Sequence, residues 1–224
     1  MHRTEGEWRQ LAGEMDARLE YKEGQYHFAL TSPDENLEEV HSEGYFDGKI
    51  FLNSPVIAGQ VADDLTELLL SEMKQNGLPA IHWVVGLEKP LVENIATNLT
   101  VLTSRPCLWT IAKKEGDSRN KKISFKDPEI FRDRNVLICD DTFSSGGTLG
   151  ILTEIVEKNG GYVLPVYPVI CNRSGGKRFR GRQIISLVRE CWSSWPASKC
   201  PPCKNDSRAI RPRSEEGRKL LRES

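Results

Sequence analysis

The chain is short of the features that mark the most easily recognised protein classes. It has little excess charge: 31 basic and 32 acidic side chains leave a formal net charge of -1, so no global field draws it to nucleic acid or to an anionic lipid surface. It has no uninterrupted apolar run of membrane-spanning length, which excludes a hydrophobic spanning helix. The opening residues Met1-His2-Arg3-Thr4-Glu5-Gly6-Glu7 contain no apolar core of a secretory signal, so the expected location is the cytosol. There are no internal repeats and no low-complexity block. Neither a Gly-Lys-Ser/Thr phosphate loop nor a Gly-x-Gly-x-x-Gly dinucleotide turn occurs. Six cysteines in such a chain read as thiols or ligands, not as a disulfide framework.

What remains is an ordinary globular composition, 38% hydrophobic and 28% charged over 224 residues, enough to bury a core in one α/β domain with a small added element. Residues 4–19 carry apolar side chains at helical spacing. Tyr26–Leu30 is a candidate strand, Ser32–Asn36 a turn, and Gly44–Leu52 a hairpin or a strand with an internal turn. Ser54-Pro55 sets a hydroxyl cap and a first-turn proline before a long amphipathic helix that Asn76-Gly77 stops. Strand and helix then alternate. Strands are expected at Ile81–Val85, Leu108–Ala112, Val136–Cys139 and Tyr162–Cys171, and helices at Pro90–Asn98 and Thr148–Lys158. An aperiodic polar stretch fills Lys113–Arg134. Pro165 and Pro168 count against a central position for the last strand. The alternation predicts an α/β fold with a doubly wound, mainly parallel sheet and ligands beyond the carboxyl ends of its strands. Residues 1–190 form the expected main domain with a small N-terminal hood. Residues 191–224 form a Cys-containing basic extension whose polar stretch from Lys204 on has the composition of a partly disordered tail.

The most telling segment is Val136-Leu-Ile-Cys-Asp-Asp-Thr-Phe-Ser-Ser-Gly-Gly-Thr148. An apolar strand runs into Asp140 and Asp141, whose carboxylates accept from sugar hydroxyls and reach a hydrated metal ion. Thr142 to Thr148 then supplies hydroxyls, backbone amides and glycines before a helix whose positive end favours an anion. An ordinary strand-to-helix turn explains Gly146-Gly147 alone, but not the paired acids and clustered hydroxyls with them.

This segment resembles the phosphoribosyl pyrophosphate signature of the type I phosphoribosyltransferases. The resemblance implies that Asp140 and Asp141 hold the ribose hydroxyls and, indirectly, Mg²⁺. It also implies that Thr142, Phe143, Ser144, Ser145, Gly146, Gly147 and Thr148 surround the 5-phosphate. Four further segments resemble the orotate branch of that family. Tyr45 and Phe46 are placed to stack on a base. Lys113 and Lys114, with Arg119 in the loop that follows, are placed to meet the pyrophosphate as it leaves. Gly86 and Lys89 stand where the pyrophosphate loop belongs, and Arg173 where an arginine meets the orotate carboxylate. Two departures are visible: Glu88 adds negative charge to the pyrophosphate loop, and Gly116–Lys122 contains no histidine, leaving Arg119, Lys121 or Lys122 to supply the charge.

The implied reaction transfers 5-phosphoribosyl from phosphoribosyl pyrophosphate to orotate, in a homodimer, with no nucleic-acid or membrane partner. A different base, or a non-catalytic regulator that binds phosphoribosyl pyrophosphate, remains open. Cys191, Cys200 and Cys203 are spaced for a zinc knuckle, with Cys171 as a fourth ligand, but reduced structural thiols are the preferred reading. Cys139 reads as a small buried strand residue.

Overall fold

The computed structural model describes residues 2–23, 25–30, 38–116 and 122–223, with residues 222 and 223 described in backbone only. The expected turn at Ser32–Asn36 and the loop residue Arg119 lie outside the described residues.

Helix α1 (Glu5–Glu14) begins at a capping box in which Thr4 and Glu7 satisfy each other's backbone amides. It ends short of residue 19 because Asp16 turns to φ 56 and the chain enters strand β1 (Arg18–Glu20). Strands β2 (His27–Ala29), β3 (Val40–Ser42) and β4 (Gly44–Phe46) build the hood. Gly44–Leu52 is not a hairpin: Asp47 caps Lys49 and starts the short helix α2 (Gly48–Leu52), which turns Phe51 and Leu52 into the core. Helix α3 (Pro55–Asn76) begins at the Ser54 hydroxyl and ends on Gly77 at φ 60, as its signals predict.

The central region runs β5 (Trp83–Gly86), α4 (Lys89–Thr103), β6 (Leu108–Ile111), β7 (Lys113–Glu115), β8 (Lys122–Ser124), β9 (Asn135–Ile138), β10 (Asp140–Phe143), α5 (Gly147–Lys158), β11 (Tyr162–Val163), β12 (Val166–Asn172), β13 (Arg178–Phe179) and β14 (Arg182–Arg189). Within Lys113–Arg134, residues 113–116 and 122–134 carry more regular structure than the aperiodic sequence predicts. β7 and β8 pair as an antiparallel ribbon, and a 3-10 turn at Pro128–Phe131 buries Phe131. Strands β11-β9-β5-β6 form one parallel sheet, and β10-β12-β14 continue in parallel with β13 antiparallel at their edge. The two sheets meet at Cys139, where a single run of chain stops pairing with β5 and starts pairing with β12. Pro168 lies inside β12, opposite Ile185 and one residue before the β10 register begins at Val169.

Both faces of the sheet are covered. Val84 and Leu137 pack with α1, α3 and α4, whereas Val85, Val136 and Ile138 pack with α5 and Phe131. The period of two along β5 and β9 thus sends successive side chains to opposite layers, as a doubly wound sheet requires.

The extension continues with β15 (Ser194–Pro196), α6 (Pro201–Lys204), β16 (Ala209–Ile210) and α7 (Glu215–Glu223). Instead of trailing off, it completes the hood. β15 pairs with β3, β16 pairs with β2, and Leu220 and Leu221 pack beside Phe28, Tyr45 and Ile210. None of the described helices is long and apolar enough to cross a membrane.

Candidate functional site

At the carboxyl end of β10 a cavity of about 700 Å³ opens between the sheet and the hood. Its floor is the acidic strand end. Asp140 is buried, and its Oδ1 accepts from the Asp141 amide at 3.1 Å; Asp141 Oδ1 in turn accepts from the Thr142 amide at 2.8 Å. These local bonds fix both carboxylates where the chain passes from β9 into β10. Burial and the neighbouring Glu88 carboxylate raise the pKa of Asp141, while Arg213, the Thr142 amide and Lys49 pull it down.

The loop that follows is shaped by Gly146, whose φ of 80 belongs to the left-handed region and whose added Cβ would lie 2.6 Å from the Phe179 ring. That turn presents the first amides of α5, uncapped by any side chain, to the cavity, beside Ser144, Ser145 and Thr148. The Thr142 hydroxyl is buried and has no hydrogen-bond partner among the described residues, and Thr142 also lines this cavity.

The roof comes from the hood. Tyr45 and Phe46 both line the cavity. Burial pushes the Tyr45 phenol up to about 12, so it stays neutral. Arg173 is buried at the end of β12, and its Nη2 donates to the Ser42 hydroxyl and the Gly44 carbonyl, both at 2.9 Å. Trp192 covers this arginine, with the guanidinium carbon 5.4 Å from the ring centroid. Gly44 lets the ring approach, since a Cβ there would fall 1.9 Å from it.

Of the residues expected at the site, Asp140, Asp141, Thr142, Ser144, Ser145, Thr148, Lys114, Tyr45, Phe46 and Arg173 line this one cavity. Others do not. Lys113 points the opposite way along β7 and pairs with Glu115 at 2.6 Å, as the strand period requires of its neighbour Lys114. Lys89 lies over the Trp109 ring and near Glu93. Gly86 allows close packing, since a Cβ would meet the Cys139 carbonyl at 2.6 Å. Phe143 is buried against Phe179, in the core and not against a ligand. Gly146 and Gly147 shape the loop without lining the cavity.

Sequence reasoning missed Arg213 and Lys49 as cavity residues; Glu88, read from the sequence as a negative charge in the pyrophosphate loop, lines the cavity beside them. Arg213 reaches in from the extension, holds Asp47 through two nitrogens at 2.9 and 2.5 Å, and comes within 3.8 Å of Asp141. Lys49 pairs with Glu88 at 2.7 Å across the rim. Lys49 follows the Asp47 cap of a helix not expected there, and nothing in a polar tail marks one arginine out from its neighbours.

The cysteine expectation is corrected. Cys171 is buried in the core and Cys191 is exposed, both away from Cys200 and Cys203. Those two stand instead beside His27 and His41 of the hood. Those two histidines are N-terminal, over 150 residues away in the chain.

No family model matches the chain. It is 25% identical over 190 residues to the orotate phosphoribosyltransferase of Desulforamulus reducens, covering 85% of this chain and 89% of that protein. It is 24% identical over 207 residues to that of Caldicellulosiruptor saccharolyticus, covering 92% and 95%. Among solved structures, a phosphoribosyltransferase from Corynebacterium diphtheriae superposes with a TM-score of 0.53 at 14% identity over 83% of this chain and 95% of its own. The Saccharomyces cerevisiae adenine phosphoribosyltransferase superposes with 0.52 at 17% identity, over 81% and 99%. The chain thus carries the type I phosphoribosyltransferase fold and is similar in sequence to orotate phosphoribosyltransferases.

Proposed function

We propose that the chain transfers the 5-phosphoribosyl group of phosphoribosyl pyrophosphate to orotate, giving orotidine 5-phosphate and pyrophosphate. The carrying observation is that one cavity brings together the paired carboxylates, the hydroxyl- and amide-lined loop, and an aromatic and arginine roof. The loop and the α5 amides suit a phosphate dianion. Asp140 and Asp141 suit ribose hydroxyls. Tyr45 and Phe46 offer faces to a planar base, and Arg173 with Arg213 offers cationic donors to a base that carries a carboxylate. Lys114, on the ribbon beside the cavity, suits the pyrophosphate.

The donor set also fits Mg²⁺. Asp140 and Asp141 are hard oxygen ligands, and the pKa of Asp141 is raised by burial and then by the Glu88 carboxylate, both of which a bound cation offsets. When bound, Mg²⁺ supplies neutralisation of pyrophosphate charge. The protein's own part is to orient the ribose, exclude water from an electron-poor C1, and hold cations where negative charge develops. A homodimer is part of the proposal, by resemblance, and light scattering of the purified protein measures it.

A second reading, a protein that binds phosphoribosyl pyrophosphate without turnover, is favoured by the Glu88 carboxylate at the rim and by Arg213 standing 3.8 Å from Asp141, where a ribose or metal belongs. One experiment separates the readings: labelled phosphoribosyl pyrophosphate and Mg²⁺ with orotate, uracil, adenine, guanine or hypoxanthine. The proposal predicts pyrophosphate release with orotate. Turnover with a purine alone overturns the choice of base. Tight binding with no release under any base supports the second reading.

A further inference from the structure

The His27, His41, Cys200 and Cys203 cluster lies behind the hood sheet, outside the cavity described above. His27 Nε2 is 3.1 Å from His41 Nδ1, 3.4 Å from Cys200 Sγ and 3.3 Å from Cys203 Sγ; Cys203 Sγ is 3.2 Å from His41 Nδ1. A tetrahedron with ordinary Zn–N and Zn–S bond lengths has N···N edges of about 3.3 Å, N···S edges of about 3.6 Å and an S···S edge of about 3.8 Å. The one N···N and three N···S separations named above fall within a few tenths of an ångström of those edges, and all four ligand atoms lie within 4.8 Å of one another. Three of the four residues are buried, and Cys203 is half-buried.

The protons point the same way. The Ser207 hydroxyl donates to the Gln25 carbonyl at 2.7 Å, so it accepts from His27 Nδ1–H at 2.9 Å. That places the ring proton on Nδ1 and leaves Nε2 a bare lone pair facing the cluster. His41 Nε2 faces the Glu39 carboxylate at 3.7 Å, and its Nδ1 faces the cluster. One Nε2 lone pair has three neighbours, and a thiol proton can serve only one of them. A cation at the centre serves all four.

Local chemistry supports a preformed site. Cys200 caps α6 and Cys203 lies in its first turn, with Pro201 and Pro202 between them fixing the backbone of the turn. β2 and β3 pair antiparallel and set the two imidazoles on one side. Both histidines have an outer partner, Ser207 and Glu39, of the kind that orients metal-bound imidazoles.

We infer that His27 Nε2, His41 Nδ1, Cys200 Sγ and Cys203 Sγ form a tetrahedral structural zinc site. With four protein ligands it is closed, so its role is to fasten α6 and β16 to the hood sheet. The site is independent of the proposed reaction.

Zinc content of the full chain, purified without chelator, tests it, together with the spectrum of the cobalt-substituted protein. The expected result is about one zinc per chain and intense tetrahedral cobalt bands with thiolate charge transfer. Cys191→Ser is expected to keep both; Cys200→Ser with Cys203→Ser is expected to lose them. Should that double variant fail to fold, Ser207→Ala tests the same site from its outer partner, with zinc affinity expected to fall about 10-fold or more while far-UV circular dichroism is unchanged. Zinc that a chelator wash removes with no change in thermal midpoint, weak octahedral cobalt bands, or zinc retained by the double variant would each overturn the inference.

Discussion

The floor of the cavity and its roof are built in opposite ways. The floor is one contiguous run, Asp140 to Thr148, on a buried strand and the start of a 12-residue helix. The roof is assembled from Tyr45 and Phe46 of the hood, Arg173 of β12, and Ser194 and Arg213 of the extension. Its hood and extension strands are two or three residues long and hold their places only through one another. A contiguous floor recognises a constant part of a substrate, here the proposed ribose phosphate. A roof from distant segments can vary piece by piece, and is where selection of the base belongs.

The sharpest way to break this division is at the floor. Asp140→Asn with Asp141→Asn is expected to lower turnover by about 100-fold or more while circular dichroism stays unchanged, because the amides cannot supply the carboxylate charge. Turnover within a few-fold of the unmodified protein would remove the ribose-clamp role. Gly146→Ala, also at the floor, is expected to cost at least about 1–2 kcal/mol from the left-handed backbone alone. The 2.6 Å approach of its Cβ to Phe179 adds to that. Chemical denaturation measures the loss, and an unchanged midpoint contradicts the loop geometry.

At the roof, Arg213→Ala is expected to raise the KM for orotate about 10-fold, the size of one lost charged hydrogen bond, and to change the affinity for phosphoribosyl pyrophosphate by less, since its only link to that substrate runs through Asp141. An equal effect on both substrates would dissolve the distinction between floor and roof.

The smallest expected effect is on pH. Because the pKa of Asp141 is raised, activity that needs its carboxylate falls, on acidification, at a higher pH than an ordinary aspartate would give. Glu88→Gln removes one of the charges that raise it, so the acid limb of the rate profile moves to lower pH. Stability shows the reverse sense. Between the ordinary aspartate pKa and the raised one, the folded state keeps a proton the unfolded chain has lost, so stability falls as pH rises through that window. Glu88→Gln narrows it. A limb that does not move contradicts the coupling between Glu88 and Asp141.

The same contrast explains how much was legible in the chain. The parallel sheet, α3 and α5 could be read because their signals are local: a capping hydroxyl, a stop glycine, a period of two or 3.6. Asp140, Asp141, Ser144, Ser145 and Thr148 could be read for the same reason. Lys113 and Lys114 could be placed together but not told apart until β7 fixed which one turns inward. Gly44–Leu52 was misread because Asp47 caps a helix inside a segment rich in strand formers. Arg213 and the partners of Cys200 and Cys203 were out of reach. Each depends on the extension folding back across more than 150 residues to pair with β2 and β3. No local pattern encodes that return.

The central claim is that this cavity performs phosphoribosyl transfer to orotate. Mg²⁺-dependent pyrophosphate release from phosphoribosyl pyrophosphate, followed with and without orotate, tests it most directly. The account predicts release that requires orotate, saturates with it, and yields one orotidine 5-phosphate for each pyrophosphate. Release indifferent to orotate, or none despite tight binding of phosphoribosyl pyrophosphate, would contradict it.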